Sequence, residues 1–208
     1  MVAVAKVAVP HVRTRRSAAD TREHILAVAA ELFYWEGIRA TGVDTVAARA
    51  DVAPTTLYRL FASKEDLVAA YVDRCSTAYR ELLSAASAPP VGTARRRILA
   101  VFDAFTNEVL AASCRGCPFL MVLGEFPDPS SAPHVGAVAH KTWLRALFRD
   151  LVRALGKEVQ LRQPAKLADN LALVAEGMYG SVQALGASGP ARQGRACAEV
   201  LLDAAVVR

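Results

Sequence analysis

The residues of this 208-residue chain best suited to chemistry are four cysteines and four histidines. Two of the cysteines form the run Cys114-Arg-Gly-Cys117. A Cys-x-x-Cys pair can hold zinc or cycle between dithiol and disulfide. Zinc takes about four protein ligands in a structural site, and no second cysteine pair or His-x-x-His accompanies this one. His134 and His140 are isolated, and a proline-rich stretch separates them from it. No metal or cofactor is therefore expected. Gly116 and Pro118 read as a helix-to-helix turn, with the cysteines as small apolar fillers. A thiol-based redox response at Cys114 and Cys117 is the alternative. The histidines join no nucleophile–base constellation, so an enzyme is not expected.

A second stretch has another chemistry. Residues 51–67 read DVAPTTLYRLFASKEDL, too polar at Thr55, Thr56 and Arg59 for plain core and too apolar at Val52, Leu57 and Phe61 for a linker. Threonine offers a hydroxyl to bases or phosphate and a methyl to thymine, and arginine pairs bidentately with guanine. These are groups that read DNA, provided that the chain holds them on one exposed helix face.

The elements that must position them are helical. Ile25, Ala29, Leu32 and Phe33 follow the i, i+4, i+7, i+8 spacing of one buried helix face. Similar stripes run through Leu67, Tyr71, Ala78 and Leu82, through Ile98, Phe102, Phe105 and Val109, and through Leu144, Leu147, Leu151 and Leu155. Two more follow, at Leu171–Leu185 and at Val200–Val207. No period-two alternation lasts long enough for a sheet. Breaks fall at Pro89-Pro90, at Pro127, Pro129 and Pro133, at Gly156, and at Gly186–Pro190. The expected fold is all-α, with about nine helices.

Between Gly37 and Lys64 the helices become short. Thr41 is expected to cap a helix running to about Ala50 and, at a helix N-terminus, is a candidate for phosphate. Pro54 suits the first turn of the next helix, and Ser63 caps a third, with Glu65 and Asp66 favourable for its dipole. Two short helices and a tight turn, the second bearing exposed Thr, Thr, Tyr and Arg, describe a helix-turn-helix whose second helix enters the major groove.

Composition agrees. The chain is 53% hydrophobic and 22% charged, as globular proteins are, with a net charge of +5. The first 19 residues hold Lys6, Arg13, Arg15 and Arg16 and no acid, a basic arm suited to phosphate or a minor groove. No apolar run is long enough to span a bilayer, and Lys6 interrupts MVAVAKVAVP, so no secretory signal and a cytoplasmic protein are expected.

The run GIRATGVDTVAARADVAPTTLYRLFASKEDL, residues 37–67, with ILAVAAELFYWEG before it, resembles the N-terminal domain of the TetR family of bacterial transcriptional regulators. The resemblance implies that Tyr58 and Lys64 hold the phosphate backbone beside Thr55, Thr56 and Arg59. Asp51 stands where the family has glycine in the turn, a left-handed position that strains a side chain by about 1 kcal/mol. Ala53 replaces a common serine cap, a loss of roughly 1 kcal/mol. The implied organisation is a basic arm over residues 1–17, a helix-turn-helix domain over 18–64 and a regulatory domain over 65–208.

The resemblance also implies that the last two long helices, near 164–186 and 190–207, pair with their copies in a homodimer. Leu171, Val174, Gly177, Met178, Ser181, Leu185, Val200, Leu201 and Ala204 are the candidate interface. A small, largely apolar effector would sit among Phe102, Phe105, Phe119, Met121, Glu125, Phe126, Trp143 and Tyr179. Glu125, set in an apolar run, needs a partner if buried. The expected function is a dimeric repressor released from a palindromic operator by that effector.

Overall fold

The structure, a computed structural model, describes residues 17–88 and 92–207. These contain nine α-helices in chain order: α1 Ala18–Glu36, α2 Val43–Arg49, α3 Pro54–Leu60, α4 Lys64–Ala86, α5 Ala94–Val109, α6 Pro118–Glu125, α7 Ala132–Leu155, α8 Pro164–Leu185 and α9 Gly194–Ala205. A short 3-10 turn at Pro190–Gln193 leads into α9. No strand occurs among the described residues, as the missing alternation leads one to expect. None of their helices is long and apolar enough to cross a membrane. The basic arm and Pro89-Pro90 lie outside the described residues.

The chain divides into two compact units. One holds the described residues up to Ser76 together with Pro118–Ala137, so α6 falls with the helix-turn-helix. The other holds Thr77–Cys117 and Val138 onward.

In the first unit α1 starts on a capping box. Ser17 Oγ accepts from the Asp20 N–H at 3.0 Å, and the Asp20 carboxylate accepts from the Ser17 N–H at 3.3 Å. The helix buries Ile25, Leu26, Ala29, Ala30, Leu32, Phe33 and Tyr34. It stops at Gly37, whose φ of 95° a side chain would strain. The cap of α2 is Gly42 rather than Thr41, and it makes no side-chain bond. Ser63 caps α4 as expected, accepting from Asp66 N–H at 3.0 Å. Pro133 does not break the chain as its type suggests. It sits in the first turn of α7, where its missing donor costs nothing, and α7 starts twelve residues ahead of the apolar stripe that announced it.

In the second unit α5 packs against α8 and α9. Its core joins Ile98, Val101, Phe102 and Phe105 to Phe148, Leu151, Leu171, Ala198 and Leu202, all buried. The Phe102 and Phe148 rings lie 5.6 Å apart. Where α8 and α9 approach each other, Gly194 faces Met178 so closely that a Cβ there would overlap the thioether. At their open ends an isolated antiparallel bridge pairs Leu161 with Val206. Arg162 N–H donates to the Ala205 carbonyl at 2.7 Å and Val207 N–H to the Gln160 carbonyl at 2.9 Å.

Candidate nucleic-acid interface

The short helix α3 is held from beneath by Leu57 and Phe61, both buried, which pack with Val46, Ala47 and Ala50 of the preceding helix and turn. That anchoring turns the remaining side chains outward. Thr55 and Arg59 are exposed, Thr56 is half-buried, and Tyr58 is 52% exposed despite its large ring. An exposed aromatic with a polar tip thus stands next to an unburied guanidinium on the outer face of α3. Two contacts fix its frame to α1. His24 Nε2 lies 3.0 Å from the Ala50 carbonyl, and the Arg22 guanidinium sits over the Phe61 ring at 4.7 Å.

The turn between α2 and α3 is made by Asp51, with φ of 52°, the left-handed geometry its position requires. Its N–H donates to the Ala48 carbonyl at 3.2 Å, and Val52 N–H donates to the Ala47 carbonyl at 3.0 Å, closing the end of α2. Ala53 caps α3 with no side-chain bond, as expected of alanine.

Two expected phosphate contacts are placed differently. Thr41 is only 2% exposed, and its hydroxyl donates to the Gly37 carbonyl at 2.7 Å. The hydroxyl thus closes the turn after α1 and is not offered to a phosphate. Lys64 is half-buried and donates to the Arg39 carbonyl at 3.3 Å. Burial lowers its pKa, while the nearby Glu125 carboxylate opposes that shift. Arg13, Arg15 and Arg16 lie outside the described residues.

Glu125 is the largest correction. Assigned from its sequence surroundings to an effector pocket, it is instead the last residue of α6 and grips the turn after α1. Oε1 accepts from Ile38 N–H at 3.0 Å and Oε2 from Arg39 N–H at 2.5 Å. Lys64 holds the same turn from its carbonyl side, so the three-residue corner is clasped by one carboxylate and one ammonium. Charge-assisted bonds to the carboxylate satisfy two backbone donors of the turn that follows α1.

The other residues assigned to the pocket separate by unit. Phe119, buried, and the half-buried Met121 and Phe126 belong with α6 in the first unit. Phe102, Phe105 and Tyr179 pack together in the second, with Phe105 and Tyr179 edge-on at 5.9 Å and Tyr179 against Tyr79 at 6.1 Å. The half-buried Trp143 carries the Arg80 guanidinium over its ring at 5.2 Å. Its other neighbour is the buried His140, whose pKa is pushed down to about 3, chiefly by burial and further by the charges of Lys141 and Arg80. Burial likewise drives the Tyr179 hydroxyl well above its ordinary value.

The interface candidates also divide. Leu171 and Met178 are buried inside the protomer, because α8 turns that stripe onto α5 and α9. The Ser181 hydroxyl is buried as well and finds no hydrogen-bond partner among the described residues. Val174 and Leu201 are half-buried, whereas Gly177, Leu185, Val200 and Ala204 are exposed. Leu173, missed by the periodicity because it lies on the opposite face of α8, is 70% exposed. Among the described residues no group of three or more His, Cys, Asp or Glu is placed to hold a metal.

Residues 25–71 match the family described as "Bacterial regulatory proteins, tetR family". The transcriptional repressor NemR of Escherichia coli is 30% identical over 112 residues, covering 53% of this chain and 56% of NemR. The chain thus spans about half the length of the curated relatives it matches first. Among solved structures, a TetR-family transcriptional regulator from Streptomyces coelicolor superposes with a TM-score of 0.82 at 26% identity, covering 89% of this chain and 96% of that one. A candidate TetR transcriptional regulator from Streptomyces avermitilis superposes with a TM-score of 0.74 at 31% identity, covering 89% and 97%. These similar proteins are described as regulators of transcription. On the matched helix-turn-helix, and on a 31% identical relative covered almost end to end, the chain belongs to the TetR family of bacterial transcriptional regulators.

Proposed function

We propose that this regulator is a homodimeric repressor that leaves a palindromic operator when a small, largely apolar effector binds. The observation that carries the DNA half is α3 itself, a seven-residue helix anchored by buried Leu57 and Phe61 that exposes Thr55, Tyr58 and Arg59. Arg59 and the two threonines read bases; Tyr58 and the basic arm bind phosphates. Residues 18–64 are the DNA-binding domain and the later residues the regulatory one, acting in the cytoplasm. Leu173 and Leu185 on α8 and Val200 and Ala204 on α9 are exposed apolar positions on two helices packed against each other, which supports pairing of two copies there.

The test is binding of purified protein to the DNA upstream of its own gene, followed by fluorescence anisotropy across salt concentrations. Specific binding that weakens steeply with salt is expected. Arg59→Ala should cost about 1–3 kcal/mol at the operator and narrow the gap between operator and random DNA. Binding without salt dependence, or an Arg59→Ala variant as discriminating as the parent, contradicts the reading.

A further inference from the structure

The pair Cys114 and Cys117 is not used by the DNA-reading surface, and the structure gives it a setting that the sequence did not disclose. Cys117 is only 2% exposed. Lys141 Nζ, from α7, lies 3.2 Å from Cys117 Sγ and 2.6 Å from Glu176 Oε2 of α8. An ammonium held against a sulfur favours the thiolate over the thiol, against the opposing effect of burial, and so raises the fraction of the reactive form at neutral pH. Glu176 fixes that ammonium in place. Cys114, three residues back, is half-buried, with its sulfur directed at the Gly116 carbonyl of the same loop. Burial and then Tyr79 hold the Tyr179 hydroxyl well above its ordinary pKa, and both sulfurs add to that shift. Gly116 holds the loop in a φ of 134° against the Gln183 side chain, where a Cβ would collide.

We propose that Cys117 is a peroxide-reactive thiolate positioned by Lys141, and that its oxidised form closes onto Cys114 as a regulatory disulfide. The Cys117 thiolate attacks one oxygen of hydrogen peroxide. A sulfur–oxygen bond forms, the oxygen–oxygen bond breaks, and the departing hydroxide takes a proton to leave as water. Sulfur gives up two electrons and becomes a sulfenic acid. The Cys114 thiol then loses its proton and attacks the Cys117 sulfur. A sulfur–sulfur bond forms, the sulfur–oxygen bond breaks, and a second water leaves. Two thiols and one peroxide thus yield one disulfide and two waters.

The readout follows from chain order. Cys117 is the residue directly before α6, and the last residue of α6 is Glu125, which holds the Ile38 and Arg39 amides at the corner of the helix-turn-helix. A covalent change at the head of this eight-residue helix alters the tether of the element that grips the DNA-reading turn. The regulatory half therefore rests on the DNA-binding reading above, whereas the thiol chemistry does not.

The experiment uses the full-length reduced protein, hydrogen peroxide and peptide-resolved mass spectrometry. A Cys114–Cys117 linkage is expected, with Cys75 and Cys197 still reduced. Cys114→Ser should stop at the Cys117 sulfenic acid, captured by dimedone. Lys141→Met should slow oxidation of Cys117 about tenfold at pH 7, as expected if the thiolate fraction falls to that of an ordinary thiol, and the rate should then climb with pH where the parent's levels off. Lys141→Arg keeps the charge and should restore most of the rate, which separates the charge from a packing role. Oxidised protein should lose operator affinity at least tenfold and recover it with dithiothreitol, while Cys117→Ser should not respond. Oxidation of Cys197 with Cys117 left as thiol, or a Lys141→Met rate and pH profile equal to the parent's, overturns the proposal. A disulfide that leaves operator affinity unchanged overturns its regulatory half. If reduced protein binds no operator, the repressor reading fails, and the mass-spectrometric result still decides the chemistry.

Discussion

Asp51 shows what one residue can cost. It occupies a left-handed turn at φ of 52°, a geometry that L side chains enter with strain. Asp51→Gly removes that strain but adds freedom to the unfolded chain, so a net gain of about 0.5 kcal/mol is expected, seen as a melting temperature one to two degrees higher. His140 is a second case. Its folded pKa of about 3 lies below the ordinary 6.5 because burial, then Lys141 and Arg80, oppose its charge. Above pH 6.5 it is neutral whether folded or not and contributes no pH dependence. As pH falls from 6.5 towards 3 the unfolded chain takes up the proton first, and the fold loses stability on the order of 4 kcal/mol. Urea unfolding across that window should show a shallower loss in His140→Gln than in the parent.

At the scale of elements, the corner after α1 depends on a helix far along the chain. Glu125→Ala leaves the Ile38 and Arg39 amides without their acceptor. A loss of about 1–3 kcal/mol is expected, with hydrogen exchange of those two amides accelerating more than that of α3. Unchanged protection at Ile38 would show the grip to be dispensable. This contact also marks the limit of what was legible beforehand. The helix-turn-helix could be read because its signals are local: Pro54 at a helix start, Ser63 at a cap, Leu57 and Phe61 one turn apart. Glu125 meets Ile38 across 87 residues, and no spacing rule reaches that far. Its apolar neighbours suggested a pocket, whereas its partners are backbone amides, which leave no trace in side-chain patterns. Thr41 misled for a related reason. A threonine before a helix reads as a cap, yet its hydroxyl turned back to Gly37, leaving Gly42 to begin α2.

For the molecule as a whole, periodicity found the stripes of α8 and α9 but could not say which stripe faces inward. Leu171 and Met178 went to the protomer's own core, and Leu173, on the other face, stayed outside. The proposed pairing of two copies therefore has a sharp test. Leu173→Glu with Val200→Glu adds charge at two exposed positions without touching the core, so analytical ultracentrifugation should show a shift to monomer with unchanged helical content. A palindromic operator should then be bound far more weakly, because two half-sites no longer act together. A double variant that sediments like the parent would place the interface elsewhere.

The small bridge between Leu161 and Val206 bears on that same region. With Arg162 bonded to Ala205 and Val207 to Gln160, the stretch from 160 to 207 forms a closed loop of backbone fastened at its base. At the opposite end Gly194 sits flush against Met178. A helical hairpin pinned at both ends cannot splay like tweezers, so it moves as one plank or not at all. Shortening the chain by its last few residues would undo the base fastening alone. The first sign should be fraying at the end of α9, seen as faster exchange at Leu202–Ala205, well before the hairpin itself melts.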